Sequence, residues 1–462
     1  MASPSITAPS APAAAARPSL LQRAWRKLCR RWQWRASRSR HPRLTLVSQF
    51  FPPDFAATGQ LLDDLTSRLA AQGLQVQVLT GMPSYAYNRA HAERIEFQPN
   101  RCIRRTHVSR FWPLRIRGRA INGILFCLRI SLRLLRYSRR GDLILYTTEP
   151  PYLPLLGWLL HRLTRTPYLV LLYDLYPDVL VELGVLQADH WLVRLWRQFN
   201  RWVFADAQEL IVLSGPMAER VRAHAPAATA KLAVIPSWAD PEQIRPRAKA
   251  DNWFVQKHQL AGRFTVLYSG NQGRCHDLVT VLAASLLLRH DPEVLFLFIG
   301  KGPQHQRLLQ LVHDWGLTNC RFLPYQELCD LPYSLAAADL ALVTLSIEAE
   351  GLVAPSKLYG HLAAGTPIAA ITPANSYLRQ LVEREGCGRW FANGNADDLA
   401  AWIASLKADP TARARHGAAA RALLERSATP DLVAGHYRQL IEQHLPEYKS
   451  LLPVDQARPR LS

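Results

Sequence analysis

Residues 350–372 read EGLVAPSKLYGHLAAGTPIAAIT, and the apolar run LALVTLS, Leu340 to Ser346, stands just before them. The order is strand, loop, short helix, strand, with the second strand opening at Thr366 after Gly365. Pro355 suits the first helical position, which would put Ser356 and Lys357 in an opening turn whose free backbone N–H groups attract an anion. A phosphate-bearing substrate fits that turn. A capped helix with a solvated lysine fits it equally well.

Outward from this stretch the same grammar recurs. FTVLYSGNQG from Phe264, VLFLFIGKGPQ, CRFLPY, LALVTLS and TPIAAIT are five strand-like runs, separated by helices such as 277–288 and 304–315. The first half starts abruptly at Leu44 with LTLVSQFFPPDFAATG, a strand over 44–50 feeding a prolyl loop and a helix with Gly59 at its mouth. VQVLTG (76–81), DLILYTT (142–148), YLVLLYD (168–174), ELIVLS (209–214) and LAVIPSWAD (232–240) read as further strands, and polar DPEQIRPRAKAD then marks a boundary. The pattern predicts an α/β protein of two facing Rossmann-like parallel-sheet domains, 44–245 and 246–430, with a ligand cleft between strand ends. Residues 431–462 would be a crossover helix that straps the domains together, and a tail.

A chain of 462 residues suits two or three domains, and 48% apolar with 9% aromatic residues is the composition of a folded protein. Seven cysteines without a CxxC pair give no metal or disulfide framework. The net charge of +20 is concentrated: residues 1–43 hold ten Lys or Arg and no acid, residues 112–140 eight Arg and no acid. Signatures of a nucleic-acid module are absent, so an anionic membrane surface is the better partner. LLQRAWRKLCRRWQW, Leu20 to Trp34, reads either as a short helix lying on a bilayer or as a loose basic tail. In the helix over 114–137, Ile121, Ile124, Leu125, Leu128, Leu132 and Leu135 share one side, with Arg129, Arg133 and Arg136 elsewhere. It is a sheet-covering helix with a basic outer face or a membrane-facing one; the two readings are compatible.

Three glycine loops point to one kind of ligand. Gly270, Asn271 and Gly273 follow one strand, Gly300 and Gly302 flank Lys301 after the next, and Gly351 opens a third. Glycine lets backbone amides approach phosphate oxygens, and Arg274, Lys301 and Lys357 are the available cations. Each loop alone is also an ordinary strand-to-helix turn. No GxxxxGK[ST] occurs, which argues against a P-loop NTPase.

YSGNQG, FLFIGKGPQ, FLPY and EAEGLVAPSKLYGHLAAGTPIAAI, in that order, resemble the nucleotide-sugar-binding half of the large retaining glycosyltransferase family called family 4, which has the two-domain GT-B architecture. QFFPPDFAATG, VQVLTGMPSY, DLYPD and VIPSWAD resemble its branch that builds surface polysaccharides, including the colanic-acid-type transferases. The resemblance covers 44–445 and implies a sugar-nucleotide donor, a UDP-sugar, with no metal or other cofactor required. The donor contacts it implies are Gly59, Gly270, Asn271, Gly273, Arg274, Lys301, Gly302, Glu350, Gly351, Leu352, Val353, Ser356 and Lys357. Glu350, Lys357 and Asp174 would act in catalysis, with Glu149 and His361 as further candidates. Two features depart from the family. Glu350 stands ten residues before Gly360 where the pattern wants eight, and Gly360 replaces the usual second glutamate. The implied activity is hexosyl or N-acetylhexosaminyl transfer with retention, by front-side attack, to a lipid-linked or polysaccharide acceptor on the cytoplasmic face of a membrane. A nucleotide-sugar epimerase or hydrolase, or a degenerate assembly subunit, is the alternative.

Overall fold

The computed structural model describes residues 43–54, 56–83, 92–107, 116–137 and 142–445. The reading of 20–34 as a helix lies outside these residues, as does the tail after 445.

The first sheet has eight strands, β1 Leu44–Val47, β2 Val76–Gly81, β3 Ile95–Gln98, β4 Arg101–Thr106, β5 Leu143–Thr147, β6 Tyr168–Leu172, β7 Glu209–Val212 and β8 Leu232–Val234. Their order is β3-β4-β2-β1-β5-β6-β7-β8, and only the β3–β4 pair is antiparallel. The second sheet, wholly parallel, has β9 Phe264–Ser269, β10 Val294–Ile299, β11 Cys320–Leu323, β12 Leu340–Thr344, β13 Ile368–Ile371 and β14 Gly388–Phe391 in the order β11-β10-β9-β12-β13-β14. Helices cover both faces. The central strands β1, β5, β6, β9, β10, β12 and β13 are therefore buried along their whole length and read as unbroken apolar runs.

Strands β3, β4 and β14 escape the sequence reading because they are polar. In β4, RCIRRT, Arg101 and Arg105 are almost fully buried. Arg101 pairs with Asp63 and Arg105 with Glu96, and Arg105 Nη2 also donates to the Pro52 carbonyl at 2.7 Å. Pairing and hydrogen bonding let charge sit inside where composition predicts a loop. The last strand of the first half is shorter than predicted, because the chain leaves the sheet after Val234: Trp238 Nε1 donates to Asp64 Oδ2 at 2.7 Å, and the Ala239 amide to the Ala428 carbonyl at 3.3 Å.

The final helix, Pro430–His444, returns to the first domain and buries Val433, Ala434, Tyr437, Leu440 and Ile441 in its core. Arg68, on the helix Ala57–Ala71, reaches Asp240 at 3.1 Å and Asp431 at 2.6 Å, tying the outgoing linker and the returning helix to one guanidinium.

The helix Ile116–Tyr137 is apolar on two sides. Phe126, Cys127, Ile130 and Leu134 face the core, while Ile121, Ile124, Leu128, Leu132 and Leu135, the stripe picked out from the sequence, face outward. Two of its arginines serve the fold, Arg129 donating to the His107 carbonyl at 3.2 Å and Arg133 to the Arg105 carbonyl at 3.1 Å. Among the described residues no helix is long and apolar enough to cross a membrane.

Candidate active site

The ends of β9 and β12 and the start of the helix Lys357–Ala363 meet around Lys357. Its Nζ donates to the Tyr268 hydroxyl at 2.5 Å, lies 4.0 Å from the centre of the Tyr268 ring, and is 3.3 Å from His276 Nε2. The hydrogen-bond chain is self-consistent. Tyr268, whose ionisation burial pushes far up, donates to the Asn271 carbonyl at 2.7 Å and so offers Lys357 a lone pair. His276 Nδ1 donates to the Thr344 carbonyl at 2.7 Å, which leaves Nε2 as an acceptor; burial and then Lys357 lower its pKa to about 3, so the ring is neutral. Among the described residues Lys357 has no carboxylate partner, and burial holds its pKa well below the lysine range. A desolvated cation without a counter-ion is costly, and an arriving anion relieves that cost.

The regular helix begins at Lys357, with Ser356 as its cap and Pro355 in the turn before, and it is seven residues long. Pro355 and Ser356 therefore lie outside it, the helix starting two residues later than predicted, and what this corner offers an anion is the Lys357 side chain more than a ring of free amides. The loops at Gly270 and Gly300 do come together: Gly300, at φ 121°, lies so close that a β-carbon on it would stand 2.2 Å from the Gly270 carbonyl oxygen. Gly302 packs on Asn271 and Gln272, and Gly270 lies against the Lys357 side chain. Gly273 borders the same turn, next to the Asn271 side chain. Arg274 and Lys301 are exposed, and Lys301 contributes its carbonyl, which accepts from Tyr325 at 2.8 Å.

The third loop goes elsewhere. Gly351, at φ 72°, packs against Pro216 and Arg220 of the first domain. Leu352 is buried in the first domain's core, its carbonyl accepts the Leu175 amide at 3.0 Å, and Val353 forms an antiparallel bridge with Asp174. The Glu350 carbonyl accepts from Arg220 Nη2 at 3.0 Å. The Glu350 side chain turns back into the second domain, where Oε1 accepts the Tyr377 amide at 3.4 Å and buried Oε2 has no hydrogen-bond partner among the described residues. Burial raises its pKa, against the pull of Ser376, the Tyr377 amide and Arg220. Tyr268 opens the YSGNQG run but, like His276 and Arg220, shows no role in the sequence, because its partner at the site is far away in the chain.

On the first-domain side, Asp174 lies two residues beyond β6 and Glu149 two beyond β5. Burial raises Asp174 to about 6. Burial also raises Glu149, to about 7, with Thr58 Oγ1 donating to its Oε2 at 2.9 Å and Asp174 adding repulsion. Gly59 lies within the helix Ala57–Ala71, pressed on the Phe51 backbone, where a β-carbon would come to 3.2 Å. His361 is fully buried with both ring nitrogens lacking a partner, one turn behind Lys357, and burial holds it neutral. Gly360 faces Leu335, whose methyl a β-carbon would approach to 3.0 Å.

Residues 57–238 match the sequence model of the glycosyl transferase 4-like domain, and residues 251–423 that of glycosyl transferases group 1. The chain is 27% identical over 339 residues to the probable glycosyltransferase WbjE of Pseudomonas aeruginosa, covering 73% of this chain and 79% of that one. It is 25% identical over 370 residues to the putative colanic acid biosynthesis glycosyl transferase WcaI of Escherichia coli, covering 72% and 84%. The fold matches HepE of Anabaena in complex with UDP-glucose at a TM-score of 0.63 and 16% identity, over 89% of this chain and all of that one. With one family model on each half and the two facing sheets of the GT-B fold, the chain belongs to the group 1 glycosyltransferases, in the family-4-like branch.

Proposed function

We propose that the protein transfers a sugar from a UDP-sugar, with retention of configuration, to a lipid-linked or polysaccharide acceptor at a membrane surface, in the assembly of a surface polysaccharide. The observation that carries this reading is the buried Lys357 amine, which has no carboxylate partner among the described residues and stands beside the paired turns at Gly270 and Gly300. Negative charge grows on the departing diphosphate as the glycosidic bond breaks, and a fixed cation that gains its counter-ion in that step lowers the barrier. Glu350 Oε2, buried and without a hydrogen-bond partner among the described residues, would accept from a sugar hydroxyl. Asp174 and Glu149 lie on the acceptor's side, and in a front-side reaction the departing phosphate takes the acceptor's proton. The donor base is supported by HepE, whose complex holds UDP-glucose, and the pathway by WcaI, named for colanic acid biosynthesis.

Location at a membrane is supported by the outer surface of the first domain. The helices Ile116–Tyr137, Leu153–Thr164 and Trp191–Asp206 pack side by side. Together they expose Leu128, Leu132, Leu163, Trp191, Leu195 and Trp202, with Leu132 at 70% and Leu163 at 77%. Exposed apolar side chains carried on neighbouring helices in this way support an interaction surface.

The test is calorimetric titration of UDP into the native protein and Lys357→Met, which keeps length and loses charge. Affinity falls by about tenfold or more, the scale of a charge-assisted hydrogen bond. Equal affinity in the two proteins would sink the reading.

A further inference from the structure

A narrow pocket, partly open to solvent, lies on the first domain beside the cleft, between the ends of β5 and β6 and the helices Trp191–Asp206 and Gly215–His224. Asp174 forms its edge toward the second domain, whose Val353 it bridges. Arg197, Arg201 and Arg220 line it. Arg197 is spent within the wall, its Nε and Nη2 reaching Asp178 Oδ1 at 3.1 and 2.5 Å. Arg201 and Arg220 differ: neither forms an ion pair among the described residues. Arg201 donates to the His224 carbonyl at 3.3 Å and to Gln198 Oε1 at 3.2 Å, and Arg220 to the Glu350 carbonyl at 3.0 Å. A guanidinium has five N–H donors, so both keep several to spare.

Two guanidiniums on different helices, neither ion-paired among the described residues and both lining one pocket, match the forked geometry of phosphate oxygens. The remaining lining mixes apolar Leu172, Phe204 and Val221 with polar Thr148, Asn200 and His224 and the carboxylates of Asp174 and Asp178, the latter taken by Arg197. The helix that turns Arg197 and Arg201 toward the pocket exposes Trp191, Leu195 and Trp202 on its outer side. We infer that the pocket holds a phosphate or diphosphate borne by the acceptor, between Arg201 and Arg220, while the accepting sugar passes Asp174 into the cleft. This rests on the transferase reading. It places the enzyme early in chain growth, since the accepting sugar must lie within a residue or so of the phosphate. The reaction that supplies the acceptor is then one that leaves a phosphate-linked sugar on a carrier. Arg220 also links the two substrates, because the guanidinium that meets the acceptor's phosphate holds the carbonyl of Glu350 on the donor side.

The experiment titrates inorganic pyrophosphate, farnesyl diphosphate and farnesol into the full chain saturated with UDP, so that the donor site is already filled. Arg201 is exposed, and Arg201→Gln should leave the fold intact, as its melting temperature will show. Farnesyl diphosphate binds the native protein, Arg201→Gln weakens it by about tenfold, and Arg201→Lys recovers part of the loss. Pyrophosphate binding as tightly as farnesyl diphosphate, with the same loss in the variant, supports the pocket and assigns it to a soluble phosphate; tighter farnesyl diphosphate assigns it to a lipid carrier. Native affinity in Arg201→Gln, or farnesol binding as well as its diphosphate, overturns the inference. Failure of UDP itself to bind would instead overturn the transferase reading and leave the farnesyl diphosphate titration to decide the pocket.

Discussion

The Leu175 amide donates to the Leu352 carbonyl at 3.0 Å across the cleft, and the Leu352 side chain, 1% exposed, is buried in the core of the domain that carries Leu175. The loop that begins with Glu350 is thus held by the opposite domain. Burial of a leucine contributes about 2 kcal/mol, and here it stabilises closure of the cleft as well as packing. Leu352→Ala is expected to lower kcat/KM by about tenfold or more while moving the melting temperature by only a few degrees, as each domain keeps its own sheet and core. Steady-state kinetics beside a thermal melt checks this. A large fall in melting temperature with unchanged kcat/KM would show that the contact serves folding alone.

This relationship also explains what was and was not legible in the sequence. The central strands were legible because a parallel strand covered on both faces needs an unbroken apolar run, as in Leu340–Thr344 or Tyr168–Leu172. β4 was not, because Arg101 and Arg105 acquire their partners only in three dimensions. At the site, Lys357 was legible from its place between two strands. Tyr268 and His276, which set its state, are 89 and 81 residues away in the chain, and Arg220 is 130 residues from the Glu350 carbonyl it holds. Gly351 read as a third phosphate loop because glycine at a strand end has two uses, and here close approach of the first domain is the one the structure shows.

Glu149 gives a pH signature. Its pKa is raised from the usual glutamate range to about 7 in the folded protein, so between about pH 4 and 7 the folded state binds more protons than the unfolded one. The associated stability is fully present below the unfolded pKa and is lost as pH rises through about 7. Asp174, raised to about 6, contributes the same sign over a lower window. Glu149→Gln keeps an acceptor for Thr58 and removes the ionisation. It is expected to flatten the decline of unfolding free energy between pH 5 and 8 and to add on the order of 1–3 kcal/mol at pH 8. Urea unfolding at several pH values measures it, and a variant as pH-sensitive as the native protein would show that Glu149 titrates normally.

The outward stripe of the helix Ile116–Tyr137 yields the test of membrane attachment. Leu128 and Leu132 are 57% and 70% exposed, and insertion of each into a bilayer interface is worth on the order of 1–2 kcal/mol. Leu128→Glu with Leu132→Glu removes that gain and places two carboxylates against an anionic surface, so vesicle affinity should fall by about a hundredfold or more. Neither residue contributes to the buried core, so the melting temperature should hold. Co-sedimentation with vesicles containing about one third phosphatidylglycerol measures it, with neutral vesicles as the comparison. If attachment instead depends on charge alone, the double variant will lose little more affinity than its two added carboxylates explain, and raising salt will release the native protein as completely as the variant. If the apolar stripe carries it, native binding survives salt and the variant's does not.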